Sequence, residues 1–192
     1  SVKETHKEFF YDNVEYLFNG NNDGLSVAFN TCCKLAVVDG FHFICLLDQD
    51  SFFSGDNIGL ILGYIYNNNY DNTAIIGPAI KYSHSKELKA SSDWLISSGS
   101  FINLSLFLQT PGFDENLFID RIDYDYCICV KNLRYDIKVI AESILEQELG
   151  EKIDTFFLSY FEHSPIRTYY MFRNRIYFYI IKYPSFNNYL RC

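Results

Sequence analysis

Asp48-Gln49-Asp50-Ser51 sets two carboxylates one residue apart, directly after the apolar run 41–47. A pair so spaced can hold a hard divalent cation such as Mg²⁺ or Mn²⁺, which takes oxygen ligands and often binds through one or two carboxylates plus substrate phosphates. Alternate strand residues face opposite ways, so a turn is needed to bring both onto one ion. The same residues also fit a structural use, with Asp48 ending a strand and Asp50 or Ser51 capping the next helix. A second acidic group, Asp120, Asp123 and Asp125, comes after Asp114-Glu115 around a helix start. Asp120 and Asp123 share a helical face, where a carboxylate can act as a general base towards a hydroxyl. Acidic residues in a first turn are favoured by the helix dipole as well, so both uses stay open. Ser97-Ser98-Gly99-Ser100 offers small side chains and backbone donors for a sugar or phosphate, or makes a plain tight turn. His6, His42, His84 and His163 show no metal spacing with another His or Cys, which argues against zinc. No phosphate-loop, dinucleotide, GxSxG or HExxH pattern occurs.

Alternating strands and helices carry these residues. The spacing predicts a strand over 14–18, a turn over 19–24, and a helix from Leu25 ended by Gly40. The run 41–47 reads as a parallel strand buried on both faces. A helix over 55–66, a loop over 67–72 and a strand over 73–78 come next. A polar surface loop is expected over 81–93, a strand over 94–97, a short helix over 103–109, a helix over 122–133 and a last strand over 136–141. The order implies an α/β fold of three layers, α/β/α, with a mostly parallel sheet and a ligand site at the carboxyl ends of its strands. That places Asp48 at the site.

Composition narrows the partners. The chain has 192 residues, 16 Lys and Arg against 24 Asp and Glu, and a net charge of −8, the wrong sign for gripping a phosphate backbone. Nucleic acid is not expected as a partner. With 48% hydrophobic and 18% aromatic residues the chain is too apolar for a disordered one. Six cysteines without a CxxC pair fit a reducing cytoplasm. Segment 94–113 is uncharged, but its Ser, Asn, Gln, Pro and Gly argue against a membrane span. Residues 1–8 lack the features of a signal peptide, and without an initiator Met the chain is expected to be a fragment or a processed form.

Taken in order, the motifs resemble family 2 glycosyltransferases of the GT-A fold, within them the bacterial rhamnosyltransferase-like group of surface-polysaccharide enzymes. The resemblance rests on Asn22-Asp23-Gly24-Leu25-Ser26 with Ala28 and Asn30, on Leu46-Leu47-Asp48-Gln49-Asp50-Ser51, and on Ile96-Ser97-Ser98-Gly99-Ser100. It continues through Gly112-Phe113-Asp114-Glu115, Phe118-Ile119-Asp120 and Asp123-Tyr124-Asp125, and ends in His163-Ser164-Pro165 with Arg167, Tyr169-Tyr170 and Arg173-Asn174. It implies a metal-dependent inverting transferase that moves a sugar, rhamnose by the group, from a nucleoside-diphosphate sugar to a polysaccharide or lipid-linked acceptor. Asp48 and Asp50 would bind the cation, with Asp50 the direct ligand, and Asp123 would be the base. Asn22, Gly24, Ser98, Gly99, Ser100, Asp120, Asp125 and Arg173 would contact donor or acceptor.

Three departures accompany the resemblance. The chain begins after the βα unit that holds the nucleotide base, Gln147 stands where the family has a His that can add a metal ligand, and Cys129 stands where a basic residue closes the acidic motif. They leave open a catalytically weak GT-A-like module for binding or assembly, and a hydrolase with water as acceptor. Residues 1–160 are expected to form the GT-A domain and 161–192 an aromatic, basic helical tail. The expected location is the cytoplasm. Tail contact with the inner face of an anionic membrane and a homodimer both stay open.

Overall fold

The computed structural model describes residues 14–17, 20–83, 85, 87–91, 94–148, 152–154, 159–161 and 164–184. Their chain order is α1 (Leu25–Val38), β1 (Phe43–Cys45), β2 (Ser51–Phe53), α2 (Asn57–Asn67), β3 (Thr73–Tyr82), β4 (Leu88–Lys89), β5 (Phe101–Asn103), α3 (Leu104–Phe107), α4 (Ile122–Asn132), β6 (Asp136–Gln147), β7 (Lys152–Asp154), β8 (Ser159–Phe161) and α5 (Pro165–Ile176). A π-helical segment, Tyr177–Lys182, continues α5.

Strand periodicity builds the layers. Neighbouring strand residues point to opposite faces, so Ile75, Ile102 and Ile137 enter one core while Ile76, Phe101 and Ile140 enter another. The first core packs against Cys33 of α1, Leu104 and Phe107 of α3, and Tyr126 and Val130 of α4. The second is closed by Ile61 of α2. Helices thus cover both faces of the sheet, and the α/β/α expectation holds. Ile76, Ile102 and Leu145 are almost wholly buried, each burial stabilising the fold by about 2 kcal/mol.

The sheet departs from the mostly parallel expectation among the described residues. Its order is β1-β5-β3-β6-β2, with β4 on β3. Only β3 and β6 pair in parallel, while β1 with β5, β5 with β3, β4 with β3 and β2 with β6 are antiparallel. The cause is β5, which returns between β1 and β3 and leaves β1 at one side of the sheet. The run 41–47 is therefore only briefly a strand, and its ends Phe41 and Leu47 are exposed. No ladder forms over 94–97, because the strand begins at Phe101, after the turn over 97–99. Residues 14–17 form no strand, and Phe18 lies outside the described residues. The strand expected over 136–141 runs on to Gln147, with a register shift between Pro78 and Ala79. Pro78 has no N–H to give the ladder, and there Asn57 takes over, accepting from Ile144 N–H at 2.8 Å while its own carbonyl accepts from Ser143 Oγ at 2.8 Å.

Candidate active site

Three strands of one direction bring the acidic residues to a single edge. β3 and β6 run in parallel, and β1 shares their direction through the antiparallel β5, so the chain leaves Cys45, Tyr82 and Gln147 on the same side. β2 starts there too, with Ser51 opposite Gln147 and Gln147 opposite Tyr82. Two strand spacings, about 10 Å, thus separate Ser51 from Tyr82.

Asp48 and Asp50 flank the turn into β2. Ser51 N–H donates to Asp48 O at 3.2 Å, and Glu148 N–H donates to Asp50 O at 2.9 Å, so β6 fixes the turn. Asp48 N–H donates to Ser98 Oγ at 3.0 Å, while Gly99 N–H donates to Leu46 O at 2.7 Å and Leu46 N–H to Ser100 O at 3.0 Å. Ser98 and Ser100 are buried, and Ser100 Oγ donates to Ile96 O. Gly99 has φ +77°, and a Cβ there would lie about 3 Å from Leu145 and Pro78. The Ser98-Gly99-Ser100 turn is thus laid beneath Asp48 and shapes its backbone. Burial raises the Asp48 pKa, the Asp50 charge raises it further, and Arg167 at the start of α5 partly offsets them. Two crowded carboxylates fit a hard cation. Among the described residues no third His, Cys, Asp or Glu completes a metal cluster, so a cation here would draw its other ligands from phosphate and water.

Asp123 sits in the first turn of α4. A helix N-terminus favours the charged carboxylate, but desolvation outweighs that preference, and its pKa is pushed up to about 6. The Tyr124 N–H donates to Asp123 Oδ1 at 2.8 Å and lowers the value, Asp120 raises it, and Arg121 lowers it. A carboxylate poised near neutrality suits proton transfer from a hydroxyl. Tyr82 lies within electrostatic reach, its phenol pushed up by burial, then by Asp123 and Tyr124.

The turn before α4 is strained, with Asp120 at φ 73° and Arg121 at φ 68°. Such left-handed pairs persist where their surroundings hold them. Here Asn174, wholly buried on α5, donates from Nδ2 to Ile119 O at 2.6 Å and to Asp120 O at 3.2 Å. Arg173 donates to Asn116 O and to Asn174 Oδ1. On the other side of this loop, Leu25 N–H donates to Phe118 O at 2.8 Å, and a Cβ on Gly24 would come within 2.7 Å of Phe118. Asn22, exposed, accepts from Gly24 N–H at 3.3 Å.

Asp125 turns away from Asp123. It is 2% exposed, receives Lys182 at 2.7 Å and accepts from Tyr183 Oη at 2.9 Å. Lys182 also pairs with Asp114, to which Tyr177 Oη donates. Burial would raise Asp114, but bonds from Lys182, Asn116 and Tyr177 hold it below the usual carboxylate range. Cys129, its thiol pushed up by burial, then by Asp125, lies beside this cluster, where Lys182 supplies a positive charge from another element. A cavity of about 720 Å³ opens here, between Asn30, Gly112, Asp125, Cys129 and Lys182, away from Asp48 and Asp123.

The model of the Glycosyl transferase family 2 matches residues 1–129. The chain belongs to this family. It is also 26% identical over 186 residues to "dTDP-rhamnosyl transferase RfbF" of Shigella flexneri, an alignment covering 85% of this chain and 62% of that protein. The chain thus spans less than two thirds of that relative's length. Membership and the layered architecture agree on a GT-A-like fold. In this family 2 chain, Asp48, Asp50, Ser98, Gly99 and Ser100 meet at one edge, while Asp123 lies within electrostatic reach of both Tyr82 and Asp120. Asn22, Gly24 and Arg173 lie around the loop before α4, and Asp125 lies in the Lys182 cluster. Sequence reasoning gave no site role to Tyr82 or Trp94, named Asn174 only within a motif, and placed Lys182 in the basic tail rather than beside Asp114 and Asp125. Asn174 stood in the Arg173-Asn174 motif, but its neighbour's charge drew the assignment. No helix among the described residues is long and apolar enough to cross a membrane.

Proposed function

We propose that the chain is the catalytic part of an inverting glycosyltransferase that moves rhamnose from a nucleoside-diphosphate sugar to a saccharide or lipid-linked acceptor. One observation carries the reading: a carboxylate with its pKa pushed up to about 6, Asp123, lies within electrostatic reach of Tyr82, and the Ser51–Gln147–Tyr82 register leads from there to the Asp48/Asp50 pair. The name of the Shigella flexneri relative supports dTDP-rhamnose as donor.

Asp123 accepts the proton of the acceptor hydroxyl while that oxygen bonds to the anomeric carbon. The bond from that carbon to the diphosphate oxygen breaks, its electron pair leaves with the nucleoside diphosphate, and the centre inverts. Asp48 and Asp50 would hold Mg²⁺ or Mn²⁺, which supplies charge neutralisation to a leaving diphosphate. Arg167, near Asp48, adds a fixed positive charge on that side. The α5 face bearing exposed Ile166, Tyr169, Phe172 and Ile176, with Arg173 and Arg175 on the same helix, supports docking near lipid-linked acceptors.

Calorimetric titration of dTDP, UDP and GDP, each with and without Mn²⁺, tests the donor half. The expected result is metal-dependent binding of dTDP that Asp50→Ala abolishes. Equal binding by the Asp50→Ala protein, or binding indifferent to Mn²⁺, would overturn the assignment of the carboxylate pair.

A further inference from the structure

Two tyrosines, Tyr124 and Tyr82, lie by Asp123, a tryptophan stacks on the first, and the cores account for only part of that tryptophan. Trp94 stacks on Tyr124 with ring centroids 4.7 Å apart and an interplanar angle of 24°. Trp94 is held there because its neighbour Leu95 exchanges contacts with Cys127, one turn along α4: Leu95 N–H donates to Cys127 Sγ at 3.4 Å and the thiol donates to Leu95 O at 3.5 Å. Tyr82 closes the group from the end of β3, with the Lys89 amine 5.0 Å from its ring centre. Trp94, Tyr82 and Tyr124 are each partly exposed. Trp94 touches the main core, but neither Tyr82 nor Tyr124 belongs to a core cluster.

We propose that Trp94, Tyr124 and Tyr82 form the acceptor subsite, a platform that receives the apolar C–H face of a pyranose ring whose hydroxyl points to Asp123. The inference rests on Asp123 as the base and names the class of molecule it deprotonates. A hydroxyl within hydrogen-bond reach of that carboxylate, about 3 Å, carries a sugar ring that must lie against whatever surrounds it. Here Tyr82 and Tyr124, the latter stacked on Trp94, lie beside the charged Asp120 and Arg121, and that mix of aromatic and polar groups suits a ring with an apolar face and a polar rim. A nucleobase also stacks on aromatic rings. The donor's diphosphate, however, is assigned to Asp48 and Asp50, and the platform lies by Asp123, the group that meets the acceptor hydroxyl, which favours the acceptor sugar.

Trp94 is the single tryptophan of the chain, so its emission reports this site alone. Methyl pyranosides, including methyl α-L-rhamnopyranoside, are titrated against the protein, with glycerol as the control for bulk effects and dTDP as the nucleotide arm. A saturable change with a pyranoside is expected, weakened about five- to tenfold in Tyr124→Ala. Trp94→Phe, which keeps a ring and the fold, is expected to raise the acceptor KM while leaving dTDP affinity in calorimetry unchanged. Silence towards every pyranoside would overturn the subsite, as would a saturable response to dTDP alone. Loss of transfer in Asp123→Asn beside such silence would leave the base assignment standing while the subsite falls.

Discussion

Replacing Asp123 by Asn separates the cost of a poised carboxylate from its use. In the folded chain its pKa stands at about 6 against a reference of 3.8, so native structure disfavours the charged form by about 3 kcal/mol. Because the folded value is the raised one, that cost is absent below about pH 3.8, grows as pH rises, and is complete above about pH 6. Asn has nearly the same shape, carries no charge, and its Oδ1 can still accept the Tyr124 N–H. The Asp123→Asn protein should therefore be more stable than the wild type at neutral pH, by up to about 3 kcal/mol. The two should converge near pH 4. Transfer should fall by about 10²- to 10⁴-fold. Urea unfolding followed by circular dichroism across this pH range reads the first effect, and release of nucleoside diphosphate reads the second. A variant no more stable than wild type at neutral pH would refute the desolvation argument, and retained turnover would refute the base. In the wild type, activity should rise with pH through about 6 as Asp123 loses its proton.

Lys182→Met should cost about 3–5 kcal/mol in urea unfolding, because it strands the Asp125 and Asp114 carboxylates, and adding Asp125→Asn should restore part of the loss. Asn174→Leu leaves the Ile119 and Asp120 carbonyls without their donor, so stability should drop by about 1–3 kcal/mol. Its kcat should fall while dTDP affinity in calorimetry holds, since the turn it supports aims Asp123. Mn²⁺ affinity should weaken as pH falls from neutrality into the carboxylate range, because burial and Asp50 raise the Asp48 pKa and protons compete for that ligand. An affinity flat over this range would remove Asp48 from the ligand set.

Much of the scaffold was legible because local signals and packing agree. Helical spacing from Leu25 with Gly40 behind it gave α1, and the apolar positions after Ile122 gave α4. Asp48, Asp50 and Asp123 were singled out as candidates from residue type and order, since acid pairs after a strand and at a helix start are visible in a string of letters. The pairing of β5 was not. Phe101–Asn103 reads like any short apolar strand, and its direction is set by long-range partners on β1 and β3. The pairing of Lys182 was invisible for the same reason, since its partners Asp114 and Asp125 lie more than fifty residues away. The burial that lifts Asp123 also has no local signature, because it comes from the elements folded over it.

The β3–β6 pair has a consequence for how the chain acquires its site. Thr73 and Asp136 are partners across a loop of about 60 residues, whose closure costs about 4 kcal/mol of chain entropy before contacts repay it. Gln147, at the far end of β6, is the residue that joins Ser51 to Tyr82. On the ribosome, the Asp48–Asp50 turn and Asp123 are both synthesised before Gln147, yet they remain on separate segments until β6 emerges and slots between β2 and β3. The edge is therefore completed late, when β6 closes this long-range register.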